Sequence, residues 1–312
     1  MDLKSSRKLW LVTGGAGYIG SHIVRALLEN NIRVKVIDSL ISGTSAAIPD
    51  DVELINVDIN DYKSVEKVFN LNQFDGVINA AGLKSVLQSF NEPESYYQTN
   101  VEAVKNLLHL KDKKTYFLQS SSAAIYGNPT LLPVTEDLLP NPISVYGKTK
   151  LLAEFEVLKD SNGVNLRYFN VLGSGMPLLK DKNSESIINK VINRINGGLE
   201  PQIYGNSHDT IDGTCIRDYI DVRDVAIAHI LAINALNEGK ILRSINIGTG
   251  IGYSVIQVLD EIHKIIGKPL SYSVEPKRDG EISKIIASID RAKNLLLFKP
   301  SYSLKEMIST SV

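Results

Sequence analysis

Short runs of apolar, often β-branched residues alternate along the chain with longer stretches in which apolar positions return every three or four residues. The runs "LWLVT", "RVKVID", "VELINVD", "GVINAAG", "TYFLQSS" and "VNLRYFN" read as strands, and helical spacing covers about 20–30, 62–69, 94–110 and 145–158. Strands this short and apolar demand burial on both faces. The alternation therefore predicts an α/β fold, a Rossmann-type doubly wound parallel sheet covered by helices on each side. From about 171 to 215 the regularity weakens and Gly, Pro and polar residues become commoner. "RDYIDVRDVAIAHILAINAL" then returns to a clean helix with Asp221 as its candidate N-cap, and "SINIGTG" reads as one more buried strand. The expected organisation is a Rossmann domain over 1–170, rejoined by 217–249, with a smaller α/β lobe made of 171–216 and 250–312.

The first strand runs straight into a glycine cluster, "WLVTGGAGYIGSH", with Gly14, Gly17 and Gly20 at steps of three. Glycines at a strand-to-helix corner let backbone approach a diphosphate, while the free N–H groups at the helix start favour its negative charge. Asp38 ends the second strand, where a carboxylate accepts hydrogen bonds from both hydroxyls of an adenosine ribose and repels a 2′-phosphate. A dinucleotide is thus the expected ligand, NAD in preference to NADP. "GKT" at 147–149 resembles the end of a P-loop, but Pro142 stands where that loop needs glycine, which argues against nucleotide hydrolysis.

Composition removes other classes. In 312 residues the formal net charge is −1, and Lys and Arg are scattered, so no basic stripe points to nucleic acid. The five histidines and the single Cys215 are too dispersed for a spaced metal motif, and no metal is expected. Cys215 reads as a small buried hydrophobe. "MDLKSSRK" lacks the apolar core of a signal peptide, and no apolar run approaches the ~18 residues of a membrane span. The expected setting is the cytoplasm, without a membrane partner.

Candidate chemistry lies in "SVYGKTK", which places Tyr146 and Lys150 on one face of a helix a single turn apart. A nearby ammonium favours phenolate, so the pair predicts a tyrosine whose pKa falls toward neutrality and which serves as acid and base. The preceding strand ends in "QSSSAAIYG", which sets Ser120, Ser121 and Ser122 at the carboxyl edge of the sheet, where ligands of such folds bind.

"TGGAGYIGSH", Asp38 and Asp58, "AAGLKSV", Asn100, "SSSAAIYG", "YGKTK", "RYFN" and "GTCIRDYIDV" occur in the order typical of the extended short-chain dehydrogenase/reductase family. From about residue 9 to 300 the chain resembles that family, and within it the nucleotide-sugar epimerases. The resemblance implies C4 epimerisation of a UDP-hexose, UDP-glucose or UDP-galactose, through a transient 4-keto sugar with tightly held NAD. It makes Tyr146 the acid/base, has Lys150 lower its pKa and bind the nicotinamide ribose, and has Ser122 hydrogen-bond the sugar oxygen. For NAD it implies Gly14, Gly17, Tyr18, Ile19 and Gly20 at the pyrophosphate, and Asp38 at the adenosine ribose. Asp58 and Ile59 would meet the adenine, and Ala80, Ala81, Gly82 and Lys84 the middle of the dinucleotide. Asn100, Ser120 and Tyr168, with Tyr146 and Lys150, would close on its nicotinamide half. The UDP-sugar would meet Lys84, Ser122, Tyr146, Asn170, Ile203, Tyr204, Arg217, Arg278 and Glu281. Glu281 stands where the family has Asp, and "SESII" at 184–188 where it has an "NNL"-like run. A homodimer through the helices at 94–110 and 145–158 is implied. Alternatives are an epimerase or dehydratase acting on another nucleotide sugar, or a non-catalytic NAD-sensing regulator. Ala123 and Ala124 beside Ser122 supply no acid for dehydration.

Overall fold

The computed structural model describes residues 8–267, 271–278 and 281–312. Its first half runs β1 (Leu9–Thr13), α1 (Tyr18–Glu29), β2 (Arg33–Asp38), β3 (Glu53–Asn56), α2 (Tyr62–Asn70), β4 (Gly76–Asn79), α3 (Val86–Asn91), α4 (Pro93–Tyr97), α5 (Ala103–Leu110), β5 (Tyr116–Ser122), α6 (Val145–Leu158) and β6 (Gly163–Tyr168). The second half runs β7 (Asn170–Leu172), α7 (Ile187–Asn196), β8 (Gln202–Tyr204), β9 (Ile216–Asp221), α8 (Val222–Asn237), β10 (Ser244–Ile247), β11 (Gly252–Ser254), α9 (Val255–Ile266), β12 (Ser273–Glu275), β13 (Lys284–Ile285), α10 (Asp290–Leu296) and α11 (Leu304–Ser311).

Seven strands pair in the order β3-β2-β1-β4-β5-β6-β10, every pair parallel. The order reverses direction between β1 and β4. At such a switch point the loops leaving the two strands part to opposite faces and open a crevice at their carboxyl ends. Both faces are covered, as the apolar strands require. Ile23, Val24 and Leu27 of α1 with Val225 and Ile233 of α8 cover one face, and Val65, Val104, Leu107, Ala153 and Val157 from α2, α5 and α6 cover the other. Each of these larger side chains contributes roughly 1.5–3 kcal/mol on burial.

The helix expected over 94–110 is a run with an inserted residue. α4 and α5 are joined by a π-helical turn over Gln98–Glu102, which buries Asn100. Such an insertion rotates the helix face and is a frequent device at functional sites. Helix α6 spans the expected residues, capped by the Ser144 hydroxyl, which accepts the Gly147 N–H at 3.0 Å. Asp221 caps α8 as expected, accepting the Arg223 N–H at 2.8 Å.

A second sheet is built around β9, which pairs with β7, β11 and β13, while β8 and β12 form a separate parallel pair. Because β9 belongs to this sheet, the chain returns to the large sheet at Val222 with α8, not at Arg217. Ile188, Val191, Val258, Leu259, Ile262, Met307 and Ile308 pack α7, α9 and α11 into one apolar cluster beside it. Among the described residues no helix is long and apolar enough to cross a membrane.

Candidate active site

The glycine turn at the end of β1 has three different physical requirements. Gly14 sits at φ +68°, and a Cβ there would lie 2.5 Å from the Ala81 nitrogen. A Cβ on Gly20 would lie 2.1 Å from the Gly14 oxygen, so its absence lets α1 close on the turn. Gly17 is not crowded from within: a Cβ would meet only the Gly14 oxygen, at 3.3 Å. It is the N-cap of α1 with no side-chain cap, so the first N–H groups of the helix are left for something outside it. They open on a cleft of about 330 Å³ whose walls include Gly17, Tyr18, Ser21 and Lys84.

Asp38 is buried at the edge of this turn; its Oδ2 accepts the Ala16 N–H at 2.9 Å and its Oδ1 the Leu40 N–H at 2.8 Å. Each carboxylate oxygen keeps lone pairs for a ligand. Lys84 pairs with Asp181 at 3.2 Å and lies 5.7 Å from the centre of the Tyr18 ring. The Tyr18 hydroxyl donates to Gly173 O at 2.7 Å, and burial pushes its pKa well up. The Ile19 side chain packs against the core. At the end of β4, Ala80 N–H donates to Thr13 O at 3.0 Å. Beyond it, Gly82 passes so close to Asn100 that a Cβ would lie 2.8 Å from its Oδ1. The π-helical turn aims Asn100 here: its amide brackets Leu83, accepting the N–H at 2.9 Å and donating to the carbonyl at 3.0 Å. Asp58 is exposed and bonds the Asn60 N–H at 2.9 Å, while the Ile59 side chain belongs to the core.

Tyr146 and Lys150 project from α6 toward the carboxyl edge of β5. A Cβ on Gly147 would lie 2.6 Å from Ala124 O, so glycine lets the helix seat against the loop after Ser122. Ser122 lies close enough to the Tyr146 phenol to pull its pKa down. Lys150 is buried and donates to Ser120 O at 2.9 Å, with Nζ 6.0 Å from the centre of the Tyr146 ring. Burial pushes its pKa down to about 8, against the opposing pull of Glu154. The expectation that this ammonium lowers the tyrosine pKa is corrected by the geometry. Burial raises the Tyr146 pKa, the Ser122 hydrogen bond pulls it down, and Tyr96 adds to the rise. The lysine is bonded to the sheet edge at Ser120 O and is not among the groups that shift the phenol.

Behind these residues lies a polar layer that the local sequence pattern does not reveal. The Tyr168 hydroxyl is 2.9 Å from Ser120 Oγ and 2.9 Å from His229 Nε2. Glu154 takes the Arg167 guanidinium in a buried fork at 2.7–3.1 Å and the Ser121 hydroxyl at 2.5 Å. That pair holds α6 against β6 beneath Lys150.

A second cavity, about 280 Å³, has Asn170, Tyr204, Arg217, Arg278 and Glu281 in its walls. It begins at β7, two residues beyond Tyr168. The Arg278 guanidinium stacks 3.6 Å from the centre of the Tyr204 ring, and Arg217 Nη1 donates to Ile216 O at 2.9 Å. Ile203 is a correction: its side chain is buried in the apolar cluster of α7, α9 and α11 and does not line the cavity. Lys190, Gln202, Cys215 and Tyr219 do, and were not foreseen. Nothing in the local pattern of α7, β8 or β9 distinguishes them from ordinary polar or core positions.

A glycine turn at the switch point of a parallel sheet, with serine, tyrosine and lysine at the adjoining strand edge, defines a dinucleotide-binding α/β enzyme. The chain belongs to the NAD dependent epimerase/dehydratase family, which matches residues 10–248. It is 35% identical over 302 residues to UDP-glucose 4-epimerase of Corynebacterium glutamicum, covering 94% of this chain and 91% of that one. It is 37% identical over 324 residues to UDP-glucose 4-epimerase 4 of Oryza sativa, covering 95% and 87%. Among solved structures, UDP-glucose-4-epimerase of Stenotrophomonas maltophila, crystallised with NAD and formylated UDP-arabinopyranose, superposes with a TM-score of 0.92 at 30% identity, covering 98% and 97%. The Bifidobacterium longum enzyme in complex with NAD+ and UDP gives 0.88 at 32% identity, covering 97% of each chain.

Proposed function

We propose that this chain is an NAD-dependent isomerase that inverts C4 of a UDP-hexose, interconverting UDP-glucose and UDP-galactose. The observation that carries the reading is the Tyr146 phenol, buried beside Ser122 and one helical turn from Lys150, next to a cavity walled by Arg217 and Arg278.

The residues of the cleft fit a dinucleotide. Gly17 leaves outward space that no internal packing demands, the first turn of α1 is uncapped, and Asp38 has acceptor capacity to spare. Gly14, Gly17 and Gly20 would admit the pyrophosphate with the N–H groups of Tyr18 and Ile19, Asp38 the adenosine ribose, and Asp58 with Ile59 the adenine. Ala80 to Gly82, Lys84 and Asn100 would hold the middle. Lys150, Tyr168 and Ser120 would hold the nicotinamide half. NAD, when bound, supplies the hydride acceptor and donor.

Tyr146, as the phenolate, takes the proton from O4 and later returns it, so the phenolate is restored at the end of each cycle. Ser122 holds the same oxygen and stabilises the phenolate. Lys150 binds the nicotinamide ribose. Arg217 and Arg278 suit the pyrophosphate because each offers a planar fork of charged donors. With Asn170, Tyr204, Glu281 and the backbone near Ile203 they anchor UDP, while the sugar is free to present either face. Ala123 and Ala124 supply no acid for loss of a hydroxyl, which favours epimerisation over dehydration.

The second part of the proposal is a homodimer through α4, α5 and α6. Phe90 on α3, Tyr97 on α4 and Leu152 and Phe155 on α6 are all exposed, and α3 and α4 both pack against α6. The deciding experiment is incubation of purified protein with UDP-galactose and assay of UDP-glucose. Formation of UDP-glucose is expected; none at micromolar enzyme would overturn the assignment.

A further inference from the structure

We infer that His208, Cys215 and Glu281 form a three-ligand site for a thiophilic divalent metal ion, zinc by its chemistry, in the wall of the arginine-lined cavity. Along the chain these residues are too dispersed to make a motif, yet folding brings them together. His208 Nε2 lies 3.2 Å from Cys215 Sγ and 3.5 Å from Glu281 Oε2, and the three ligand atoms all fall within 4.8 Å of one another. Four-coordinate zinc with bonds of about 2.0–2.3 Å needs ligand atoms roughly 3.3–3.8 Å apart. A thiol, an imidazole and a carboxylate make a zinc donor set; calcium and magnesium would take oxygen alone.

Two further observations separate this cluster from a simple thiol–imidazole contact. Glu281 Oε2 is buried and has no hydrogen-bond partner, a costly state for a carboxylate oxygen that a metal bond would resolve. The imidazole is also oriented as a ligand: His208 Nδ1 faces the Ser283 hydroxyl at 3.1 Å, which leaves Nε2 turned toward Sγ and the carboxylate. The loop carrying His208 is closed by its own N–H, which donates to Gly213 O at 2.9 Å. Cys215 leads into β9, whose Ile216 N–H donates to Ser283 O at 2.8 Å, so the donors stand on neighbouring, mutually bonded segments. Cys215 and Glu281 both reach the cavity, which gives an ion its path and a fourth position for water.

Binding is a ligand exchange without redox change. The metal–sulfur bond forms as the thiol loses its proton to solvent. Occupancy also has a consequence for the cavity, resting on the UDP-sugar reading above: a Glu281 carboxylate held by metal is withdrawn from the anchoring of UDP, so the ion antagonises UDP.

The test uses the whole chain, free of any affinity tag, titrated with Co²⁺ and followed by absorption. One equivalent of Co²⁺ is expected to give a thiolate-to-cobalt band in the near ultraviolet and tetrahedral bands in the visible, both erased by Zn²⁺. Cys215→Ser and His208→Gln should lose them, and Ser283→Ala should bind about tenfold more weakly. Absence of the thiolate band in the unaltered chain, or its survival in His208→Gln, overturns the site; the first of these outcomes stands even where a variant does not fold. UDP affinity is then measured with and without one equivalent of Zn²⁺. A loss of about tenfold or more that disappears in His208→Gln is expected, and equal affinities overturn the antagonism. A chain that binds Co²⁺ as described but never binds UDP would sink the substrate reading and leave the metal site standing.

Discussion

The Tyr168 hydroxyl meets His229 Nε2 at 2.9 Å, and the direction of that bond is fixed. His229 Nδ1 lies 2.9 Å from Val225 O, which can only accept, so Nδ1 carries the proton and Nε2 offers a lone pair. Burial pushes the His229 pKa down to about 4 and keeps the ring neutral. Tyr168 therefore donates to His229, and the Ser120 hydroxyl donates to Tyr168. Replacing His229 by Leu removes one of the two partners of the Tyr168 hydroxyl, whose proton can turn to Ser120 Oγ, and should cost about 1 kcal/mol in urea unfolding. His229→Leu with Tyr168→Phe should cost less than the two singles together; additive losses would show the residues to be independent.

Tyr146→Phe should lower conversion of UDP-galactose by about 10²–10⁴-fold, the share that general acid/base assistance commonly supplies. The ring remains, so NAD content and UDP affinity should stay near those of the unaltered protein. Near-normal turnover would place the base elsewhere.

Lys150 gives a prediction in pH. Its pKa is about 8 in the fold against an ordinary 10.5, so between these values the unfolded chain binds more protons and stability rises with pH. Below about pH 8 the penalty is present in full. Lys150→Met removes it, and about 3 kcal/mol of relief, less about 1 kcal/mol for the lost bond to Ser120 O, should leave the variant more stable at pH 7. The difference should shrink steadily between pH 8 and 10 in chemical denaturation. A difference independent of pH would contradict the buried ammonium.

Phe155 is half exposed on α6, next to the likewise exposed Leu152. A charge at its centre should separate a dimer built on this face, so Phe155→Glu is expected to halve the mass seen by light scattering while leaving the fold unchanged by circular dichroism. An unaltered chain that already runs as a monomer would remove the interface.

Much of this molecule was legible because its signals are local. The strand runs, the glycine steps of three, the Ser144 and Asp221 caps and the Tyr146/Lys150 spacing each follow from residues within a turn or two of one another. What escaped depends on contacts across the chain. No periodicity marks the inserted residue at Gln98–Glu102, although it is what points Asn100 at Gly82. The resemblance put Ile203 with Tyr204 among the substrate contacts, yet alternation along β8 sends Ile203 into the core. The tyrosine pKa was misjudged for a related reason: sequence shows that Lys150 is one turn away, but not that its Nζ is bonded to Ser120 O.

Asp38 is both the expected selector for NAD and the acceptor that ties the glycine turn to β2 through the Ala16 N–H. Anyone redesigning this chain for a phosphorylated dinucleotide would thus undo a structural tether with the same substitution. A workable redesign must first provide another anchor for that amide, and a screen of single replacements at this position should return mostly unstable proteins rather than switched ones.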